Sequence, residues 1–527
     1  MRYSFSCIYK SEKHYYYRIL TVSRHHNTFL KQVPIMFKLK YKRLSISFGI
    51  GLGFGMVAIV SSAQSLQMND MRLKSDLDWL NAQGVTQIST STWPLTANEI
   101  SRGLASAKAT TPAQQQVLQS VQKSLEQSST SGVNAALDVY VQSDRQQLPQ
   151  NFADDQLARQ QATVKLGYSQ PQWEANLQAN LKNDDLIAVA SNNDDGSDVS
   201  FEGSYLAGTA ANQWLIAGQI PTWWGPGNDG SLIRGDASRP IVGVTMQRDE
   251  QTAPKSPYLA WTGPWQYQLF AGQLDDYEAI PEAKLFGMRL AASPFPWLEL
   301  GASRSFMWGG EGRPESASSF FDALTGIRDN NDKPGKEDPA NQLAGFDARV
   351  NLVPLVEVPA TVYAQLVGED EAGALPSKNM YLLGADYASS INGIPYQLYT
   401  EYADTRTGGE VRGISYNHHV YRDGYYQQGY PLGHGLGGDA ESISLGSKVW
   451  LNEDNFVRAK VQYAKVNQSD RATNQAFPTT DKLKAIDVAW DHQLKPQTFI
   501  STRVWAVDSD IHSSDIGAGV GLEWQMY

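Results

Sequence analysis

Two stretches of the chain gather side chains able to do recognition chemistry. The first, Gln219 to Pro240, reads "QIPTWWGPGNDGSLIRGDASRP" and sets Trp223 and Trp224 beside Arg234, Asp236 and Arg239. A pyranose ring stacks its apolar C–H face on an aromatic plane, while its hydroxyls and any uronic acid need bidentate partners such as guanidinium or carboxylate. This one loop supplies both kinds of group, and Gly225, Gly227 and Gly230 let its backbone fold tightly into a confined space. The same composition suits a folded plug, with buried tryptophans and an Arg234–Asp236 pair holding a turn, and both readings stay open. The second stretch, residues 405–439, carries Tyr416, His418, His419, Tyr421, Tyr425, Tyr426, Tyr430, His434 and Asp439. Tyrosines suit stacking and polar contact with glycans, and equally an aromatic belt at a membrane surface. The histidines are metal-ligand types, but an adjacent pair in extended chain does not readily aim both rings at one ion, and no i, i+4 spacing is present. Candidate polysaccharide-binding residues are therefore Trp223, Trp224, Arg234, Asp236, Arg239, Tyr421, Tyr425 and Tyr426, with no metal site.

Enzyme chemistry has little to stand on. No G-x-S-x-G elbow, H-E-x-x-H pair or phosphate-binding loop occurs. The acidic runs Asp275-Asp276 and Glu369-Asp370-Glu371 have the residue types of a glycosidase pair, yet such runs in loops are usually solvated. We expect no enzyme, no catalytic residue and no cofactor. A formal net charge of −11 at pH 7 offers no extended basic surface, which argues against a nucleic-acid partner.

The elements that must position these groups are strands. From residue 131 onward the apolar period is two: Trp173, Ala175, Leu177, Ala179 and Leu181 alternate with polar residues, as do Phe346, Ala348, Val350 and Leu352. About nineteen such segments occur in all, 257–262 among them, each near the roughly 9 to 11 residues of a tilted transmembrane strand. Their polar faces carry Arg349, Asp386, Glu401, Arg458 and Lys460. A single sheet this wide must close on itself, with charged faces lining a wet lumen and Leu, Val, Ala and Tyr facing lipid. Short turns such as 353–359 and 452–454 alternate with long loops such as 309–342 and 405–439, the expected contrast between periplasmic and extracellular connections. The chain ends in "GVGLEWQMY", an aromatic terminus that suits outer-membrane insertion, with its apolar alternation one residue out of register.

Residues 64–130 change period. Leu73, Leu77 and Leu80 predict a helix stopped by Gly84; Thr96 with Glu99 predicts a second, and Thr111-Pro112 opens a third bearing Val117, Val121 and Leu125. Upstream, residues 36–63 have the basic, apolar and small-residue parts of a secretory signal, and residues 1–35 read as an extension from a mis-set start. The lone cysteine, Cys7, falls in that extension, so no disulfide or thiolate chemistry is expected.

Five stretches carry a family resemblance: "QGVTQISTSTWPL" (83–95), "GQIPTWWGPGNDGSLIRGDASRP" (218–240), "WTGPWQYQ" (261–268), "LELGASRSFMWGGEGRP" (298–314) and "YNHHVYRDGYYQQGYPLGHGLGGD" (416–439). Together they resemble the Wzi family of outer-membrane capsule-assembly proteins, over the whole chain after the signal. The resemblance implies a lectin-like barrel of 18 strands with a helical bundle at its periplasmic end, helping attach exported capsular polysaccharide to the cell surface. The expectation is an all-β transmembrane barrel of about 18 antiparallel strands in the bacterial outer membrane. Its partners would be capsular or exopolysaccharide, outer-membrane lipids and the polysaccharide export machinery. A substrate-selective porin for oligosaccharides is the alternative, and the two differ in whether the lumen is blocked.

Overall fold

In the computed structural model the described residues are 65–526, apart from 145–147, 155, 157, 186–197, 276, 326–339, 373–374, 408–412, 471–472 and 512–513. The expected extension, signal segment and Cys7 lie outside them, as does Asp276.

Period-two alternation forms the wall of a closed antiparallel barrel. Its strands are β1 (Gly132–Gln142), β2 (Ala158–Gln170), β3 (Trp173–Asp185), β4 (Asp198–Ser200 with Tyr205–Ala210), β5 (Gln213–Gln219), β6 (Val242–Arg248), β7 (Trp265–Gln273), β8 (Lys284–Phe295) and β9 (Leu298–Trp308). The wall continues with β10 (Ala340–Asn351), β11 (Ala360–Ala372), β12 (Leu375–Ile391), β13 (Ile394–Asp404), β14 (Glu441–Asn452), β15 (Asn455–Val466), β16 (Asp481–Lys495), β17 (Thr498–Ser509) and β18 (Asp515–Met526). The two pieces of β4 both pair with β3, so they fill one position and the wall has eighteen. β18 pairs with β1 and leaves no edge, the condition for a sheet in lipid.

Apolar positions face out as the alternation predicts: Leu166, Leu177, Leu290, Phe346, Leu383 and Val504 are exposed on the outer wall. The C-terminal alternation does the same with Val520, Leu522, Trp524 and Met526. The segment 257–262 is not a strand. Pro254, Pro257 and Pro264 bracket it, and proline cannot donate to a ladder; a 3-10 turn at Ala260–Thr262 forms instead, within a loop that joins β6 to β7.

The segment before β1 forms three helices at the end of the barrel where the turns are short. These are α1 (Met71–Ala82), α2 (Ala97–Leu104) and α3 (Pro112–Ser128). Asp70 caps α1 by accepting from the Leu73 amide at 2.9 Å, and Thr111 and Gln114 form a reciprocal capping box on α3. At α2 the Thr96 hydroxyl caps the Glu99 amide, but the Glu99 side chain turns to Arg102 instead of closing a box. Helix α1 is buried on nearly every side, including Lys74, Asp76 and Asp78, because it lies within the mouth of the wall. The Trp79 indole donates to the Tyr396 carbonyl at 3.0 Å and the Trp450 indole donates to Asp76 at 2.5 Å. Among the described residues no helix is long and apolar enough to cross a membrane.

Candidate functional site

Most inward charges of the wall do not line open water. Two long connections fold back into the lumen and engage them. Residues 220–241 enter between β5 and β6, and their tip is held by Glu401 of β13, whose carboxyl oxygens accept from the amides of Asn228 at 2.7 Å, Asp229 at 3.0 Å and Gly230 at 3.1 Å. The Asn228 amide group donates to Asp386 at 2.8 Å and accepts from Lys448 at 2.8 Å. Arg349 sits 3.6 Å from Asp386 and 2.9 Å from Asp78 of α1, which also pairs with Lys74 at 2.7 Å. A buried chain of charges thus runs from the helices, through the wall, to the tip of the loop. Burial alone would raise the Asp78 pKa, but the Arg349 and Lys74 cations beside it prevail and hold its carboxyl below the usual carboxylate range.

The same loop is stitched to the N-terminal segment. Trp223 and Trp224 pair as a two-residue strand with Trp93 and Thr92, and the Gly225 amide donates to the Ser91 carbonyl at 2.9 Å. Phe152, from the β1–β2 connection, stands edge-on to both Trp93 and Trp223 with ring centroids 5.2 Å apart in each case. The Trp224 indole donates to Gln268 at 2.5 Å, and its ring lies over Gly287, where an added Cβ would stand 2.6 Å from the ring. Below it, Arg289 binds Asp347 through two contacts at 2.6 and 2.9 Å and donates to Thr92 at 2.7 Å.

The second connection, in its described residues 413–440, lays a tyrosine floor over the first. The Tyr416 hydroxyl donates to the Leu232 carbonyl at 2.6 Å, and the Tyr425 hydroxyl donates to the Ile233 carbonyl at 2.9 Å and lies 2.7 Å from the Ser305 hydroxyl. Tyr416 and Tyr425 stack at 5.8 Å, and the Tyr426 hydroxyl accepts from the Gly438 amide at 3.0 Å. His434 is buried here against Gly230, and burial pushes its pKa down to about 4.

Each residue expected to touch sugar is therefore placed inside this packing. Trp223, Trp224, Tyr421, Tyr425 and Tyr426 are at most 1% exposed, so their ring faces are covered by protein. Arg234 lies 4.9 Å above the Phe270 ring, and Asp236 does not pair with it but accepts from the Ala153 amide at 2.8 Å and from Asn69. Burial pushes the Asp236 pKa up to about 7. Arg239 donates to Glu202 at 2.5 Å, with Lys182 on the other Glu202 oxygen at 3.3 Å. The Tyr421 hydroxyl donates to the Gly309 carbonyl at 3.2 Å.

Polar groups outside the candidate binding set sit above that floor, at the long-loop end. Arg422, Asp275 and His419 are exposed there; Gln428 donates to Asp275 at 3.2 Å, and Asp423 accepts from the Ala279 amide at 2.8 Å. The sequence marked Asp275 only as one of an acidic pair and His419 only as one of a histidine pair, and Arg422 and Gln428 carried no signal of their own. Among the described residues no group of three or more His, Cys, Asp or Glu is placed to hold a metal ion. Below the plug, a cavity of about 710 Å³ remains at the turn end, lined by Asp70, Arg72, Lys123, Asp154, Arg458 and Glu523 among others.

The chain is 41% identical over 491 residues to an uncharacterized 55.8 kDa protein in the cps region of Klebsiella pneumoniae, covering 92% of this chain and 94% of that one. It is 40% identical, with a TM-score of 0.79, to Wzi of Escherichia coli, an outer-membrane carbohydrate-binding β-barrel involved in group 1 capsule assembly. That likeness covers 87% of this chain and 98% of the other. The family model for capsule assembly protein Wzi matches residues 129–513. With its lipid-facing wall and filled lumen, this chain is an outer-membrane barrel that belongs to the Wzi capsule-assembly family.

Proposed function

We propose that this protein is a non-enzymatic outer-membrane lectin that binds capsular or surface polysaccharide and helps attach or assemble it at the cell surface. The observation that carries this reading is the filled lumen. Residues 222–235 and 424–440 are buried almost throughout, apart from Gln428 at the outer rim, so the charged wall holds a plug rather than a path for solute. In this reading the short turns and α1–α3 face the periplasm and the long loops face outward. The polysaccharide then meets the rim formed by residues 274–275, 277–283, 309–325 and 415–428, where Arg422, Gln428 and Asp275 offer hydrogen bonds. Trp223, Trp224, Arg234, Asp236, Arg239, Tyr421, Tyr425 and Tyr426 contribute by holding the floor on which that rim rests. Outer-membrane lipids surround the wall, and the export machinery is the partner that would deliver the chain to the rim.

The test is binding of detergent-solubilised protein to purified capsular polysaccharide, beside conductance in planar bilayers. Saturable binding weakened at least about tenfold by Arg422→Ala with Gln428→Ala, roughly the loss of two hydrogen bonds to the ligand, supports the rim. A large steady conductance in the unaltered protein would instead make it a porin.

A further inference from the structure

One connection at the turn end differs from its neighbours. Most wall strands there are joined by two to eight residues, whereas β6 and β7 are joined by residues 249–264. Its first residues turn inward: the Asp249 carbonyl accepts from Thr96 at 2.7 Å, and the Gln251 amide donates to Glu99 at 2.7 Å. The remainder projects outward and presents Tyr258 at 88%, Leu259 at 52% and Trp261 at 71% exposure. Large apolar groups this bare, side by side, mark a surface meant to be covered.

The loop is held in that pose. The Trp261 indole donates to the Tyr258 carbonyl at 3.0 Å, the Thr262 hydroxyl to the Leu259 carbonyl at 2.8 Å, and the Ser293 amide to the Pro264 carbonyl at 2.8 Å. Gly263, at φ +65°, lies so close to the β8–β9 turn that a Cβ would fall 1.9 Å from the Ser293 carbonyl oxygen. The loop that bears the cluster adjoins the lipid-facing wall: Arg248 lies 4.1 Å over the outward Trp265 ring, Trp265 stacks on Tyr267, and the next turn carries Phe295 stacked on Trp297 at 5.1 Å. Residues 252–264 contain Lys255 and no carboxylate. Aromatic rings beside cations match the border between acyl chains and phosphate headgroups.

We infer that residues 252–262 are an interfacial anchor, lying in the phospholipid surface of the leaflet where the turns end, with Tyr258, Leu259 and Trp261 at the acyl border and Lys255 and Arg248 toward phosphate. The occupant is lipid and not a second protein because the cluster extends the surface that lipid already covers. The test uses the full chain in phosphatidylethanolamine–phosphatidylglycerol nanodiscs. Cys7 is replaced by serine and an environment-sensitive fluorophore is attached at Leu259→Cys, or separately at Tyr258→Cys, with folding checked by heat-modifiable gel mobility. The expected result is blue-shifted emission, quenched at least about twofold more by a spin label near the headgroup than by aqueous iodide, as burial of roughly 5–10 Å into the boundary requires. Water-like emission with iodide quenching would overturn the inference. So would emission that shifts only when an envelope protein extract is added.

Discussion

Replacing Glu401 by alanine should unfasten the tip of the lumen plug. Three backbone donors converge on its carboxyl group, from Asn228, Asp229 and Gly230, and the Tyr363 hydroxyl joins them at 2.8 Å. A buried donor left without an acceptor costs about 1–3 kcal/mol. Taking the low end for each of the three amides, because water admitted to the vacated space would satisfy part of the loss, the tip is weakened by about 3 kcal/mol. At about 1.4 kcal/mol per tenfold, the detached state becomes roughly 100-fold more populated. Single-channel recording in planar bilayers should then show transient openings in Glu401→Ala against a silent parent, with Glu401→Gln between them because it keeps one acceptor oxygen. A Glu401→Ala barrel that migrates as folded and conducts no more often than the parent would refute the reasoning, since the post would then not be what holds the loop.

Trp223→Ala should lower the heat-modification midpoint of the barrel, because removal of a buried tryptophan costs about 3–5 kcal/mol; an unchanged midpoint would return Trp223 to the role of a free stacking surface. Asp236→Asn should gain on the parent as pH rises. A carboxyl whose folded pKa is raised from 3.8 to about 7 contributes stability that is full below its unfolded pKa and lost as pH climbs through its folded one. The midpoints of variant and parent should therefore lie closest at pH 4 and diverge by pH 8, and parallel curves would show that Asp236 does not titrate in that window. Asp347→Ala leaves the Arg289 guanidinium buried without its partner, a loss of about 3–5 kcal/mol readable as a lower urea midpoint in detergent.

The wall was legible because alternation is a local property: Leu177, Phe346 and Leu383 announce their face from their immediate neighbours alone. The segment 257–262 imitated a strand because Tyr258 and Leu259 have strand-like character, while the prolines around it decided otherwise. The interior was not legible in the same way. Glu401, Asp386, Arg349 and Lys460 stood out as inward charges, but their partners, Asn228, Asp78, Asn151 and Asp229, come from connections and a helix far away in the chain, and no period relates them. The tryptophan loop admitted two readings for that reason. A sugar platform and a plug require the same residue types, and only the positions of Trp93, Phe152 and Gly287 around Trp223 and Trp224 separate them.

The seam between β1 and β18 joins the two ends of the wall around contents supplied by the residues before it and by two connections within it. Those contents bond to one another as well as to the wall, the Trp93 strand to the tryptophan loop and that loop to the tyrosines above it. An alteration that loosens one of the three parts therefore reaches the other two, and the interior responds as one body rather than as separate inserts.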